Sequence, residues 1–287
     1  MRLLFVSDYL NGGGAEIVMH QLKAGLEKSL PGCEIHIFYG SETNVRKSGN
    51  PLSYIYSQKW KRLLNRKLND FRPDVIHFLN YYHILSPSVL DAAKKYTKTN
   101  PDCRVVYTAH DFHLVSPSSG LTTFVKGKGD EWGIYREPAV RLVGGLGRFL
   151  KKRWDHRGVL FSSLKVLQWV NAYRWGRKDN ILDYIIAPGA FMANTIEKLY
   201  GNEMVFLIRN PYPDFPEDAR VYPSLGYDEK VKLVFGGRLG PEKGLADFIN
   251  AVDTDLWSEI EMDIYGSGPE EENLSRIIQD KGLAAHC

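Results

Sequence analysis

Two cations stand in a glycine-rich segment between a predicted strand and a predicted helix. Arg238 and Lys243 come directly after Gly236-Gly237, where a run of β-branched and aromatic residues ends, and an apolar-periodic segment begins at Leu245. Ligands of open α/β sheets bind at the carboxyl ends of the strands, and a helix N-terminus favours anions. The segment therefore indicates a phosphate or diphosphate site. The alternative is a pair of solvated surface cations on a connecting loop.

Three glycines, Gly12 to Gly14, occupy a second junction between a predicted strand and a predicted helix. Without Cβ atoms, their backbone N–H groups can approach an anion closely. The segment lacks the Gly-x-Gly-x-x-Gly pattern of dinucleotide sites and the Gly-Lys-Ser/Thr of a Walker loop. Gly13 and Gly14 are candidates for contact with a phosphate, and a tight turn without a ligand is the alternative.

His110 and Asp111 follow the predicted strand 104–108, so both are expected at the carboxyl end of the sheet. There the imidazole can make a hydrogen bond to a bound group, and Asp111 can fix its tautomer. The alternative is a structural histidine at a strand end, which is also the interpretation of His77. His113 lies nearby, but a divalent ion needs more convergent ligands than this group offers, so we expect no metal.

Short apolar runs alternate with helical patterns along the chain, which is typical of a parallel α/β sheet. Strands are predicted at 2–7, 34–39, 75–79, 104–108, 184–187, 205–208, 231–236 and 261–265. Helices are predicted at 15–29, 191–199, 245–253 and 270–281. A proline-rich stretch predicts a linker at 211–228, between an N-terminal domain at 1–210 and an incomplete C-terminal domain at 229–287.

Composition is that of a soluble globular protein. The chain has 287 residues, 44% hydrophobic and 25% charged, and no run reaches the ~18 apolar residues needed to span a bilayer. Asp8 interrupts the first apolar run, and no cleavage site of a signal peptide follows. The three cysteines are far apart and odd in number, which favours reduced thiols and a cytoplasmic protein.

Charge is unevenly distributed along the chain. The net charge is +3, yet residues 136–178 carry eleven Lys and Arg against Glu137 and Asp155, together with Trp154, Trp169 and Trp175. A solvated helical face is one interpretation. Cations interleaved with tryptophan also fit an anionic membrane surface, which would place the protein peripherally at the inner face of the plasma membrane. No motif of nucleic-acid recognition supports binding to nucleic acid.

The motif Gly-Arg-Leu-x-Pro-Glu-Lys-Gly at 237–244 resembles the donor-phosphate loop of retaining glycosyltransferases of the GT-B fold, family four. Further segments resemble the same family and occur in its order along nearly the whole chain. These are Leu3 to Asp8 with Gly12 to Glu16, Asp74 to His77, Val106 to Asp111, Ile185 to Pro188, Ile208 to Pro211 and Tyr265 to Pro269.

This resemblance implies two Rossmann-like domains of the GT-B type. The substrates would be a nucleoside-diphosphate sugar and a saccharide or lipid-linked acceptor in polysaccharide biosynthesis, with no metal or other cofactor. Arg238, Lys243 and Gly237 would contact the donor diphosphate, which Gly13 and Gly14 would also face. The remaining assignments are His110 beside the transferred sugar, Asp111 near the acceptor, Gly266 and Gly268 near the base, and acceptor-reading loops at 40–70 and 113–140.

One family motif has no counterpart here. Relatives hold the donor sugar and ribose with a Glu-x₇-Glu pair, and no glutamate after Arg238 is followed by another eight positions later. We therefore expect a C-terminally truncated member that is inactive as a 287-residue chain. Two alternatives are a non-catalytic module that binds an acceptor or partner, and a peripheral membrane adaptor. Nucleotide binding would argue against the adaptor, and turnover against the module.

Overall fold

The computed structural model describes residues 1–43, 51–126, 132–136, 149, 152–155, 157–212 and 230–287. The chain forms two compact units, Met1–Pro213 and Asp214–Cys287, here called unit 1 and unit 2. The predicted linker 211–228 lies almost entirely outside the described residues. Its boundaries, and those of the predicted domains beside it, stay predictions.

A parallel sheet forms the centre of unit 1. Its strands are β1 (Arg2–Tyr9), β2 (Glu34–Ser41), β3 (Val75–Phe78), β4 (Arg104–Thr108), β7 (Tyr184–Ala187) and β8 (Val205–Leu207). The order across the sheet is β2-β1-β3-β4-β7-β8, and every neighbouring pair is parallel. The run Leu3 to Tyr9 is buried throughout, as expected of a strand covered on both faces of a parallel sheet. All six predicted strands are confirmed, with ends that differ by at most two residues.

Six α-helices are described in unit 1. They are α1 (Gly14–Ser29), α2 (Pro51–Ile55), α3 (Gln58–Phe71), α4 (Ser88–Thr99), α5 (Val159–Trp169) and α6 (Ala190–Tyr200). A π-helical segment, Val170–Trp175, continues α5, and a 3₁₀ turn follows at Lys178–Ile181. An antiparallel hairpin of β5 (Thr122–Lys126) and β6 (Trp132–Arg136) lies between β4 and α5 along the chain.

The expectation that 40–70 is a loop is wrong, because most of this range is helical. In α3, Leu64, Leu68 and Phe71 are buried, spaced as one face of a helix. The Ser57 hydroxyl accepts a hydrogen bond from the Trp60 N–H, which caps the N-terminus. The other predicted loop, 113–140, contains the hairpin of β5 and β6. The role of both ranges in reading an acceptor stays a prediction.

Among its described residues, the segment 136–178 is only partly exposed, and its role as a membrane-facing surface stays a prediction. Residues 137–148, 150, 151 and 156 lie outside the described part of the chain. Trp154 and Trp169 are fully buried in the core of unit 1, so only Trp175 of the three tryptophans is exposed. The Arg157 and Lys165 side chains form ion pairs with the buried Asp155. No described helix combines the length and apolar character needed to cross a membrane.

Unit 2 is built on a two-stranded parallel sheet. Its elements are β9 (Val231–Gly236), a 3₁₀ turn (Pro241–Lys243), α7 (Leu245–Ala251), a 3₁₀ helix (Thr254–Glu259), β10 (Ile260–Tyr265) and α8 (Glu271–Asp280). Leu245, Ile249, Trp257, Met262 and Leu274 form its core with Leu239 and Leu283. The predicted strands and helices of this region are confirmed, with ends shifted by one or two residues.

Candidate functional site

Asp8 holds the loop that follows β3. Its carboxylate lies near the end of β1, fully buried, and accepts hydrogen bonds from the backbone N–H groups of His83 at 2.7 Å and of Ile84 and Leu85 at 2.8 Å. Burial raises the pKa of Asp8 to about 6, against the lowering effect of these three donors. The sequence analysis assigned Asp8 no such role. Its only sequence signal is an acid at the end of a buried strand.

Asp111 follows β4 along the chain and contacts the same loop. It accepts hydrogen bonds from the Tyr82 hydroxyl and, at 2.8 Å, from the backbone N–H of His113. Burial raises the pKa of Asp111 to about 7. Both carboxylate oxygens are therefore used by Tyr82 and His113. Asp111 makes no hydrogen bond to His110 among the described residues, and its role in fixing the His110 tautomer stays a prediction.

His110 presents a neutral imidazole at this edge of the sheet. Burial lowers its pKa to about 4, and its Nε2 is buried without a hydrogen-bond partner among the described residues. The ring can therefore give or take a hydrogen bond at neutral pH but carries no charge. His77 is different: its Nε2 lies 2.7 Å from the Thr108 Oγ1, and burial is the main reason that its pKa falls to about 3. This contact fits the structural interpretation of His77.

Several buried polar atoms near the carboxyl ends of β1, β3 and β4 have no hydrogen-bond partner within the described residues. They are the Ser7 Oγ, the Asn80 Oδ1, the His110 Nε2 and both ring nitrogens of His113. The three strands are adjacent in the sheet, so these atoms follow neighbouring strands. Buried polar atoms in folded proteins are normally paired with protein or water. Their number here marks this edge of the sheet, which we call the polar edge, as the candidate site of unit 1.

The glycine loop after β1 is closed by a carboxylate of its own helix. Gly13 is the N-cap of α1, and Glu16 accepts hydrogen bonds from the backbone of Gly13 and from its own backbone. A Cβ at Gly13 would lie 2.5 Å from the Glu16 Oε2. Glu16 is buried, which raises its pKa. This capping arrangement accounts for the Gly13 backbone, and the contact of Gly13 and Gly14 with a phosphate stays a prediction.

The loop after β9 combines a fixed backbone with two exposed cations. Leu239 is buried in the core of unit 2, and the Gly237 N–H donates to the Tyr265 carbonyl at 2.9 Å. Gly244 has φ of 70° and joins the 3₁₀ turn to α7, a conformation that glycine adopts without strain. The Arg238 and Lys243 side chains are exposed, and neither forms an ion pair with another described residue.

Gly266 and Gly268 are required by close packing between the loops after β9 and β10. A Cβ at Gly266 would overlap the Gly237 carbonyl oxygen, and one at Gly268 would overlap the Leu239 carbonyl oxygen. The Leu239 N–H also donates to the Ser267 carbonyl at 3.0 Å. These glycines therefore support the loop that carries the cations. Their predicted place beside a nucleotide base stays a prediction.

The predicted site residues thus occur as two groups, one in each unit. Gly13, Gly14, His110 and Asp111 follow strands β1 and β4 of unit 1, and Gly237, Arg238, Lys243, Gly266 and Gly268 follow strands β9 and β10 of unit 2. Within the described part of the chain, no three His, Cys, Asp or Glu side chains are grouped as metal ligands would be.

Comparison with solved structures shows the class of fold. The catalytic domain of starch synthase IV from Arabidopsis thaliana, bound to ADP and acarbose, superposes with a TM-score of 0.54 at 12% identity, over 99% of this chain and 72% of that domain. An α-glucosyltransferase in complex with UDP and a mismatched DNA 13-mer gives 0.46 at 15% identity. The UDP-GlcNAc 2-epimerase from Neisseria meningitidis, bound to UDP-GlcNAc, gives 0.47 at 12% identity, over 100% of this chain and 71% of the epimerase. The fold is α/β of the Rossmann-like GT-B type, as predicted.

The family follows from the sequence itself. The sequence profile of Glycosyltransferase Family 4 matches residues 12–213, which is most of the chain. The chain therefore belongs to glycosyltransferase family 4. The match includes 98% of this chain but only 59% of the length of the α-glucosyltransferase. No curated protein sequence matches the chain.

Proposed function

We propose that the protein transfers a sugar from a nucleoside-diphosphate donor to a saccharide or lipid-linked acceptor in polysaccharide biosynthesis, with retention of the anomeric configuration. The main observation in support of a nucleoside-diphosphate donor is the loop after β9, which exposes Arg238 and Lys243 on a backbone anchored by Leu239. Two cations on an anchored loop at the carboxyl end of a strand can offset the charge that develops on a leaving diphosphate. Membership of a glycosyltransferase family supports this reaction. No step in it requires a metal or another cofactor.

In unit 1 the proposed partner of the sugar is His110. Its neutral ring can make a hydrogen bond to a sugar hydroxyl, and its Nε2 lacks a partner among the described residues. Asp111, held by Tyr82 and His113, would contact the acceptor. We propose that Gly13 and Gly14 contribute a close backbone surface for contact with a phosphate.

The donor assignment is tested by nucleotide binding. Calorimetry with UDP, ADP and GDP should give weaker binding for Arg238→Ala and for Lys243→Ala than for the unchanged protein. Each variant loses a charge-assisted contact worth roughly 1.5–3 kcal/mol, or about ten- to a hundredfold in affinity. Lys232→Ala is the matched control, because Lys232 is an exposed cation of β9 that precedes the loop. Unchanged affinity in both loop variants would reduce the loop to a structural role.

The assignment of His110 separates turnover from donor binding. In a form of the protein that turns over, His110→Ala should lower kcat while the affinity for nucleoside diphosphate stays within about twofold, because that affinity rests on unit 2. Loss of nucleotide affinity with kcat preserved would contradict this placement.

A second proposal concerns the 287 residues taken by themselves. Since the Glu-x₇-Glu pair is missing after Arg238, we propose that they form no glycoside product. Unit 1 has its own core and its own polar edge, which favours a non-catalytic module for acceptor or partner binding as the second candidate. Incubation with nucleotide sugars and saccharide acceptors, followed by mass spectrometry, distinguishes the two. A product above the level of a heat-denatured control would rule out the inactive form.

A further inference from the structure

The helix α5 of unit 1 has an apolar outer face. Leu160 is 70% exposed, Leu167 is 49% exposed, and Trp175 in the following π-helical segment is 69% exposed. Leu160, Leu164 and Leu167 are spaced as one stripe of a helix, and we call these three leucines with Trp175 the outer face. Val159 and Phe161 beside it are also exposed. Exposed apolar patches of this kind mark surfaces that meet another phase or partner.

The opposite side of the same helix already accounts for its packing. Ser162, Val166 and Trp169 are buried in unit 1. The Trp169 Nε1 donates to the His113 carbonyl at 2.7 Å, and the Gln168 Nε2 donates to the Tyr82 carbonyl at 2.8 Å. The helix is therefore held by its inner side, against the loops of the polar edge. Contacts among the described residues do not explain why the outer face is apolar.

Charge around the outer face has one sign. The two acids between residues 152 and 179 are Asp155 and Asp179, which are 2% and 1% exposed. Arg174 and Arg177 are exposed, as is Arg157, whose charge is paired with Asp155. A cavity of about 130 Å³ opens beside the helix and is lined by Lys152 and Arg153 together with Phe149, Val159, Ser162 and Val166. Within the described residues of this segment, the charge that meets solvent is thus positive.

We propose that the outer face docks on an anionic lipid bilayer. Leucines and a tryptophan enter the boundary between headgroups and acyl chains, and the surrounding arginines meet the lipid phosphates, as in helices that lie in the plane of a membrane. Leu52 of α2, a helix that packs against α5, is also exposed, at 72%.

Docking by this helix has a consequence for the acceptor, and this part rests on the proposed function. The inner side of α5 holds Tyr82 and His113 at the polar edge of unit 1. A docked outer face therefore brings that edge close to the bilayer. The acceptor class that this geometry favours is a lipid-linked saccharide rather than a free one.

The test is co-sedimentation of the 287-residue protein with vesicles of phosphatidylcholine, with and without phosphatidylglycerol, at low and high salt. At about 1 kcal/mol for each of Arg174 and Arg177 near the surface, we expect about a thirtyfold preference for the anionic vesicles at low salt. Trp175 fluorescence should shift to the blue on binding. The Trp175→Phe variant should lose that shift.

Matched variants distinguish binding through the outer face from nonspecific adsorption to vesicles. Leu160→Gln with Leu167→Gln should abolish sedimentation. Leu207→Gln with Leu256→Gln, at positions 55% and 53% exposed on other surfaces, should leave it unchanged. Arg174→Gln with Arg177→Gln should weaken binding at least tenfold, while Lys28→Gln with Lys95→Gln should not. Circular dichroism of each variant checks that it is folded.

Three results would overturn the proposal. These are equal partitioning to neutral and anionic vesicles, no partitioning to either, and self-association without lipid that the Leu160 and Leu167 substitutions abolish, which would make the face a contact between copies. The assay needs neither nucleotide nor turnover. A failed donor assignment, read by calorimetry, is therefore distinguishable from a failed membrane assignment.

Discussion

Two carboxyl groups, those of the fully buried Asp8 and the partly buried Asp111, define the polar edge of unit 1 at the scale of single residues. The position of Asp111 could be predicted, because it follows a recognisable strand. Its partner Tyr82 could not, and neither could the contact between Asp8 and His83, because each joins residues far apart in sequence. Glu16 shows the same limit of prediction from sequence. A glycine loop suggested an anion site, and the carboxylate that caps this loop becomes visible only in three dimensions.

The raised pKa of Asp111 predicts a pH-dependent effect of Asp111→Asn. Because its pKa rises from 3.8 to about 7 on folding, the folded protein binds the proton between these values, and the free energy of unfolding falls as pH rises through them. Asn cannot ionise and avoids this loss. We therefore expect the variant to gain up to about 4 kcal/mol relative to the unchanged protein between pH 4 and pH 8.

Urea unfolding at both pH values measures this difference. Neighbouring groups contribute in both proteins. Asp8, with its raised pKa, also lowers the free energy of unfolding as pH rises. His77 and His110, with lowered pKa values, increase the free energy of unfolding as pH rises from about 4 to about 6.5. Comparison of variant with unchanged protein removes these shared effects. Asp102→Asn, at an exposed position, is the control and should show no such trend. A pH-independent difference for Asp111→Asn would contradict the raised pKa.

At the scale of elements, the strands of both parallel sheets were predictable, whereas the helices α2 to α5 were not. The strands are short apolar runs, and burial in a parallel sheet leaves them few alternatives. The helix α3 carries its apolar residues at helical spacing inside a strongly charged sequence, so its low hydropathy resembled that of a loop. The helix α5 was missed for another reason. The tryptophans of this segment suggested an exposed surface, whereas Trp169 belongs to the core.

The packing of the two loops of unit 2 predicts a severe effect of Gly266→Ala. The added methyl group overlaps the Gly237 carbonyl oxygen, so the loops after β9 and β10 must separate. Overpacking of this kind costs roughly 1–3 kcal/mol, and the moving loop carries Arg238. Thermal unfolding should report the lower stability, and calorimetry should report weaker nucleotide binding.

Gly236→Ala is the matched control for this experiment. It lies one residue before Gly237, and a Cβ there meets nothing within 4 Å. Its unfolding temperature should stay close to that of the unchanged protein. If Gly266→Ala were equally well tolerated, the close approach of the two loops would not be a requirement of the fold.

At the scale of the whole molecule, each unit has a separate core, so we expect two unfolding transitions. Ile196 in unit 1 and Ile249 in unit 2 are both fully buried, which provides one pair of equal substitutions. Each Ile→Ala change should cost about 2–5 kcal/mol in its own unit. Differential scanning calorimetry should show a different transition lowered by each variant. A single transition lowered by both would mean that the units unfold together.

The order of strands in unit 1 also has a consequence for how the protein is made. Strand β4 pairs with β7, and Tyr184 follows its partner Val106 by 78 residues. At a synthesis rate of about 5–20 residues per second, the growing chain holds β4 for roughly 4–16 seconds before β7 leaves the ribosome. During that interval one edge of β4 is unpaired, and the apolar α5 emerges before the strand that covers that edge. Nascent chains of this protein therefore expose an unpaired strand edge, which is prone to aggregation, at one defined stage of translation.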